Sequence, residues 1–322
     1  MSDSLQTTTA HIGWRTSGLG RPSQNRNRGF LQSVVVLLLL VAGCQRGEEL
    51  GPVARANSSI KIRDAFASSS GDAGSGGASA ATGTGWATLQ GRFVFDGTSP
   101  EMESYNVNKD QATCATGGKA PLQETLLVDS ATKGIANVAI YVRSASRVHE
   151  SAGPKEDSQK FDQKVCVFLT HVFPLTVGQT MQIMNSDNVG HNTNIDGKNG
   201  FNQIIPAGEA VAFKPQKEEA VPVGIACSIH PWMKAYFLPR KNGYYAVTGA
   251  DGSFEIANVP AGENLEFQVW HESSGGRGGP LVLNTPQAKE LKWSKKGRFK
   301  IKLAEDEVRE LELTVPAAAF GG

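Results

Sequence analysis

The chain has 322 residues, a formal net charge of +1 at pH 7, 36 glycines and four cysteines. This length leaves room for one or two folded domains, and a net charge close to zero gives no reason to expect a nucleic acid partner. Short apolar runs broken by Gly, Pro, Asn and Asp dominate, whereas helical periodicity is scarce. The pattern predicts an all-β protein built as a β-sandwich.

The first 43 residues have the parts of an export signal. Residues 1–29 carry four arginines and no acidic residue after Asp3, and residues 30–42 form an apolar run. The run is short for a membrane-spanning helix, and Gly43 supplies a small-residue junction, so residues 1–43 are interpreted as a signal peptide. The long polar segment before the apolar run leaves open whether translation starts at Met1 or further downstream.

The junction Val41-Ala42-Gly43-Cys44 resembles a bacterial lipobox. The resemblance implies cleavage before Cys44, a lipid on its sulfur, and a position on a bacterial membrane facing the periplasm or the cell exterior. The alternative is an ordinary signal peptide in which Cys44 is incidental. Residues 44–86 are rich in Gly, Ser and Ala and have little apolar surface to bury, so they are predicted to form a disordered tether.

Short alternating runs bounded by turn residues begin near Trp86. Residues 144–160 are polar and are predicted to form an exposed loop. Strands are predicted at residues 89–97, 124–129, 137–143, 165–168, 175–177, 181–185, 211–213, 221–226, 265–269, 299–303 and 311–315.

The stretch 181–233 contains the ligand types of a blue-copper site. His191 comes first, and Cys227, His230 and Met233 follow with the spacing C-x-x-H-x-x-M. One thiolate, two imidazoles and a weak axial thioether form the ligand set of a type 1 copper centre. Any one of these residues could be structural, but the combination predicts one bound copper ion.

His191-Asn192 and the loop from Cys227 to Met233 resemble the cupredoxins, most closely the amicyanin type. In that family a His-Asn pair stands at the end of a strand, and a C-x-x-H-P-x-M loop follows later. The resemblance implies a Greek-key β-sandwich over residues 87–240. It implies these copper ligands: His191, Cys227, His230 and Met233. It also implies that Asn192 and Ser228 tie the two ligand segments together.

Residues 241–316 are predicted to form a further β segment. Within it, the pattern T-x-x-x-G-x-F-x-I…P-x-G from Thr248 to Gly262 resembles the carboxypeptidase regulatory-like module, a small β-sandwich. Residues 91–97 fit the opening strand of that module. Whether the C-terminal segment is a separate domain or is continuous with strands in residues 88–143 therefore stays open.

The cysteines can be assigned by counting. If Cys44 takes lipid and Cys227 takes copper, Cys114 and Cys166 remain. Each of them stands four residues after the Asp of an Asp-Gln pair. Disulfides persist in exported proteins, so a Cys114–Cys166 bond is predicted. The alternative pairs Cys227 with one of them and removes the copper thiolate.

These features predict a membrane-tethered protein that carries single electrons between redox partner proteins. It would catalyse no reaction of its own and bind no small-molecule substrate. A carrier of this kind needs a partly exposed ligand edge, and His230 is the expected exit for the electron. Trp232, next to it, is expected to shield the site and to give an aromatic rim for a docking partner.

Other functions stay open. Copper storage or delivery would call for an open surface rich in Met or His, and the chain has five methionines and six histidines. A copper oxidase or reductase would need H-x-H pairs, which the sequence lacks. A β-scaffold with a vestigial copper motif is a further alternative, and His171 and His271 are either a second metal site or ordinary hydrogen-bonded histidines.

Overall fold

The computed structural model describes residues 85–321, which lie in one compact unit and are nearly all β. The all-β prediction is confirmed. Two short α-helices are present in this part of the chain, α1 at Gln111–Cys114 and α2 at Pro286–Glu290. The strands are β1 Trp86–Asp96, β2 Ala139–Val142, β3 Ser158–Lys164, β4 Val167–Phe168, β5 Val172–Thr176, β6 Thr180–Asn185, β7 His191–Ile195, β8 Phe201–Ile205, β9 Ala210–Phe213, β10 Val223–Ala226, β11 Lys234–Arg240, β12 Tyr245–Val247, β13 Ser253–Pro260, β14 Asn264–Trp270, β15 Arg298–Lys302 and β16 Val308–Pro316.

The middle of the chain forms a sandwich of two sheets. One has the strand order β5-β11-β10-β7-β8 and the other has the order β4-β3-β6-β9. Apolar side chains from both sheets share one core, among them Phe161 on β3, Ile183 on β6 and Phe237 on β11. Side chains of β6 alternate between buried and half-buried positions, as the period of a strand requires. This sandwich carries all four residues that the sequence proposes as copper ligands.

A second pair of sheets joins the two ends of the described chain. β1 lies between β13 and β16, antiparallel to the first and parallel to the second, and the other sheet has the order β12-β2-β14-β15. Phe93, Ile140, Phe267 and Phe299 belong to the core that they share. Strands β1 and β2 therefore pair with C-terminal strands. The C-terminal segment is thus continuous with strands from residues 88–143, one of the two alternatives that the sequence left open. The predicted boundary at residue 240 and the module resemblance stay predictions.

Several predicted elements differ from the structure. The strand predicted at 124–129 is wrong, because only Val128 of this segment pairs with another strand residue, in an isolated antiparallel bridge to Ile135. The loop predicted at 144–160 ends early, since β3 begins at Ser158. Strands β3, β7, β8, β11 and β12 were not predicted.

The long connection between β1 and β2 carries α1 to the central sandwich. Cys114, at the end of α1, is disulfide-bonded to Cys166 between β3 and β4, so the predicted cross-link is confirmed. Both cysteines are buried in the core of that sandwich. The predicted signal peptide, Cys44 and most of the predicted tether lie outside the described residues, but its predicted end at residue 86 is wrong, because Trp86 begins β1. Within 85–321 no helix is long and apolar enough to cross a membrane.

Candidate metal centre

The centre of the site is the loop between β10 and β11. Cys227 directly follows β10, and β11 begins directly after Met233. The Cys227 N–H donates to the Met233 carbonyl at 3.3 Å, and the Met233 N–H donates to the His230 carbonyl at 2.9 Å. Because β10 and β11 are antiparallel neighbours, these bonds close a compact loop in which all three side chains are buried.

His191 reaches the same place from the neighbouring strand. It begins β7, rather than ending a strand as the resemblance implied, and β7 pairs with β10 through Asn194 opposite Ala226. This pairing puts the start of β7 next to Cys227. The Asn192 N–H donates to Cys227 Sγ at 3.2 Å, so the backbone fixes the imidazole and the thiol side by side.

Asn192 and Ser228 do tie the two ligand segments together. The Ser228 N–H donates to Asn192 Oδ1 at 3.2 Å, and Asn192 Nδ2 donates to Asn202 Oδ1 at 2.9 Å on β8. The His230 N–H also approaches Cys227 Sγ, at 3.4 Å. Two backbone N–H groups therefore point at the sulfur, an arrangement that stabilises a thiolate.

The candidate ligand atoms converge. His191 Nδ1 lies 3.0 Å from His230 Nδ1, and Cys227 Sγ lies 3.8 Å from His230 Nδ1. The three atoms all lie within 4.8 Å of one another. The side chains of His191 and His230 are 0% exposed, that of Cys227 is 2% exposed and that of Met233 is 1% exposed.

These distances fit a single metal ion. Bonds to a first-row metal such as zinc are about 2.0 Å for imidazole nitrogen and about 2.3 Å for thiolate sulfur. Two ligand atoms on one ion are then at most about 4.0 Å apart for two nitrogens, or about 4.3 Å for nitrogen and sulfur. Both observed separations are inside these limits.

Two carboxylates occupy the outer nitrogens of the imidazoles. Asp187 Oδ2 lies 2.7 Å from His191 Nε2, and Asp110 Oδ2 lies 2.9 Å from His230 Nε2. If each Nε2 carries the proton that its carboxylate accepts, the two Nδ1 atoms present bare lone pairs to each other at 3.0 Å. Two facing lone pairs repel each other, so a cation bound between the two nitrogens would stabilise this arrangement.

The sequence did not reveal either carboxylate. Asp187 is four residues before His191, and its position after the β6 strand was the only available signal. Asp110 is 120 residues from His230 in the chain, and its only sequence signal was the Asp-Gln pair that precedes Cys114. Burial lowers the pKa of His191, although Asp187 opposes this effect, and a lowered pKa favours the neutral imidazole that binds metals.

The prediction that an edge of His230 would be exposed is wrong. The imidazole is fully buried because the segment carrying Asp110 lies over its Nε2 side and is cross-linked to the sandwich by Cys114–Cys166. The sulfurs of this disulfide also lie near the imidazoles, with Cys114, Cys166 and His230 within 4.8 Å of one another. Disulfide-bonded sulfurs are not thiolates, so they add no ligand to the set.

Trp232 packs against the site, as expected. Its ring lies 5.2 Å from the His230 ring, and its Nε1–H donates to the Cys166 carbonyl at 3.1 Å. The side chain is 8% exposed. It therefore shields the cluster and offers little surface as a docking rim.

His171 and His271 form no metal cluster with other His, Cys, Asp or Glu side chains in the described part of the chain. His171 is paired with Glu272 through Nε2, and its Nδ1 lies 3.8 Å from Glu124. His271 is buried, its Nδ1 accepts the Ser273 N–H at 3.2 Å, and burial lowers its pKa to about 4. The reading of both as hydrogen-bonded structural histidines fits these contacts.

The described chain is thus an all-β protein whose central sandwich buries a Cys, two His and a Met at one end. Searches against family models and against curated proteins find no match. Among solved structures, an amicyanin from Paracoccus versutus is 18% identical, with 31% of this chain and 97% of that chain covered and a TM-score of 0.23. A reduced Cu(I) form of an amicyanin mutant is 17% identical, with coverages of 32% and 99% and a TM-score of 0.23.

A copper-containing nitrite reductase from Thermus scotoductus SA-01 is 22% identical, again with a TM-score of 0.23. The match covers 25% of this chain and spans only 21% of the reductase chain. Likenesses of this size do not establish a shared function. The case for copper therefore rests on the residues of the cluster.

Proposed function

We propose that this chain is a type 1 copper protein of the cupredoxin kind, which carries single electrons between redox partner proteins outside the cytoplasm. Its ligands would be His191, Cys227 and His230, with Met233 as the weak axial ligand. The observation that carries the proposal is the convergence of His191 Nδ1, His230 Nδ1 and Cys227 Sγ within 4.8 Å in a buried site. Bound there, copper would supply a one-electron couple between Cu(II) and Cu(I).

The surroundings support a carrier more than a delivery protein. Delivery needs ligands that a recipient can reach, whereas His191, His230 and Met233 are almost completely buried. A carrier needs a rigid ligand set, because rigidity limits the rearrangement that accompanies each electron. The backbone bonds to Cys227 Sγ and the bond between Ser228 and Asn192 supply such rigidity.

The electron would leave through His230 and Asp110. The imidazole is buried, but the Asp110 side chain that accepts from its Nε2 is 34% exposed. A single hydrogen bond therefore connects the ligand to the surface. We also propose that lipid on Cys44 holds the protein at a bacterial membrane, with the residues between Cys44 and β1 as the tether. The protein would act without a substrate of its own.

Adding Cu(II) to the full-length chain tests the proposal. A type 1 site should give an intense visible band, because charge moves from the thiolate sulfur to the metal. Cys227→Ser should remove the band while the imidazoles still bind some copper. Ser228→Ala is the matched control, since Ser228 contributes its backbone N–H rather than its side chain to the network. The same spectrum for wild type and Cys227→Ser would refute the copper assignment.

A further inference from the structure

Asp110 occupies an unusual place for a helix-capping residue. It precedes α1 and has left-handed backbone angles, φ 48° and ψ 39°. An Asp at this position ordinarily accepts an N–H from the first turn of its helix. Here the side chain makes no such bond, although the Asp110 carbonyl accepts from the Thr113 and Cys114 N–H groups at 2.9 Å. The carboxylate is directed to His230 instead.

The cross-link holds Asp110 in this place. α1 is only four residues long and ends at Cys114, whose bond to Cys166 ties the segment to the central sandwich. Gln111 adds a side-chain bond from its Nε2 to the Val107 carbonyl at 3.0 Å. Asp110 therefore reaches His230 from a segment with few degrees of freedom.

We propose that Asp110 is a positioning residue for His230 and that its negative charge favours Cu(II) over Cu(I). This inference rests on the proposed copper site. By accepting the Nε2–H, the carboxylate keeps the proton on Nε2 and leaves the Nδ1 lone pair for the metal. A negative charge one imidazole away stabilises the more positive oxidation state.

Asp187 makes the same kind of bond to His191 but has a second role. Its carboxylate accepts the Val165 and Cys166 N–H groups at 2.7 and 2.8 Å, where the backbone turns through left-handed angles. Replacing it would disturb that turn as well as the imidazole. Asp110 is the cleaner site for a test, because its carboxylate has one hydrogen-bond partner among the described residues.

Asp110→Asn is the variant to use, since Asn also tolerates left-handed backbone angles and keeps an oxygen that can accept the Nε2–H. Mutation of a group that hydrogen-bonds a metal-binding histidine typically changes metal affinity by about 10–100-fold. We expect the ratio of Cu(II) to Cu(I) affinity to fall at least about tenfold, which raises the reduction potential by about 59 mV. Glu101→Gln is the matched control, as it removes the same charge from an exposed side chain in the same connection. It should change the ratio less than about twofold.

The measurements are a redox titration of the visible band and a chelator competition on the full-length chain, with circular dichroism to check the fold. An unshifted Asp110→Asn, or an equal shift in Glu101→Gln, would overturn this inference and leave the copper site standing. A wild type without the visible band would overturn the proposed function first. If Asp110→Asn fails to fold, NMR of the wild-type Cu(I) form decides: a slowly exchanging His230 Nε2–H supports the bond, and a freely exchanging one refutes it.

Discussion

Breaking the Cys114–Cys166 bond should cost about 4 kcal/mol of folding free energy. The two cysteines are 52 residues apart in sequence. In the chain-entropy model, a loop of this length restricts the unfolded chain by about 14 cal/mol/K, which is about 4 kcal/mol at 25 °C. The cross-linked loop begins at the end of α1 and contains β2 and β3, which belong to different pairs of sheets, so the loss should affect the whole folded unit.

The assay is guanidinium unfolding of the copper-free chain with and without a reductant. Reduction of the wild type leaves both sulfur atoms in place and creates no cavity, so the change in unfolding free energy reports the cross-link. Cys114→Ala/Cys166→Ala is the matched control, because its stability should not respond to the reductant. A loss below about 1 kcal/mol in the reduced wild type would refute the reasoning, since the loop-entropy term alone exceeds that value.

Three further outcomes are expected. Met233→Leu should keep the visible band and raise the reduction potential, because leucine donates nothing to Cu(II); a lost band or a lowered potential would contradict an axial role. His271, with its pKa lowered to about 4 by burial, should contribute about 3 kcal/mol of stability that is present above pH 6.5 and is lost as the pH falls toward 4. His271→Gln should flatten that part of the stability profile, and an unchanged slope would count against the buried neutral ring. Cys44→Ala should abolish a diacylglyceryl mass in protein expressed in a bacterium, whereas a mature N-terminus elsewhere would contradict lipidation.

The metal cluster was predictable where its signals were local. Cys227, His230 and Met233 lie in one short loop, and their spacing can be read from the sequence even where the predicted strands are wrong. The Cys114–Cys166 bond followed from counting thiols. Alternation predicted strands such as β6, whereas β8 was missed because three of its five residues, Asn202–Ile204, are exposed in succession.

What the sequence could not supply was the tertiary environment of the cluster. The burial of His230 depends on Asp110, which is 120 residues away and belongs to a connection without regular periodicity. The parallel pairing of β1 with β16 joins residues more than 200 positions apart. Neither contact has a local signal, because both arise only when distant segments pack together.

The Cys114–Cys166 cross-link and Asp110 should affect the reduction potential of the proposed copper site through the same contact with His230. A double-mutant cycle can test this. If the disulfide influences the reduction potential only by holding Asp110 against His230, Cys114→Ala/Cys166→Ala should raise the potential in the wild-type background. The same pair of substitutions should have little further effect when Asp110→Asn is already present, because contacting groups in one network are not additive. Fully additive shifts would mean that the cross-link acts by another route, such as the packing of Trp232 on the Cys166 carbonyl. The cycle therefore shows whether the cross-link changes the reduction potential through Asp110 or by another route.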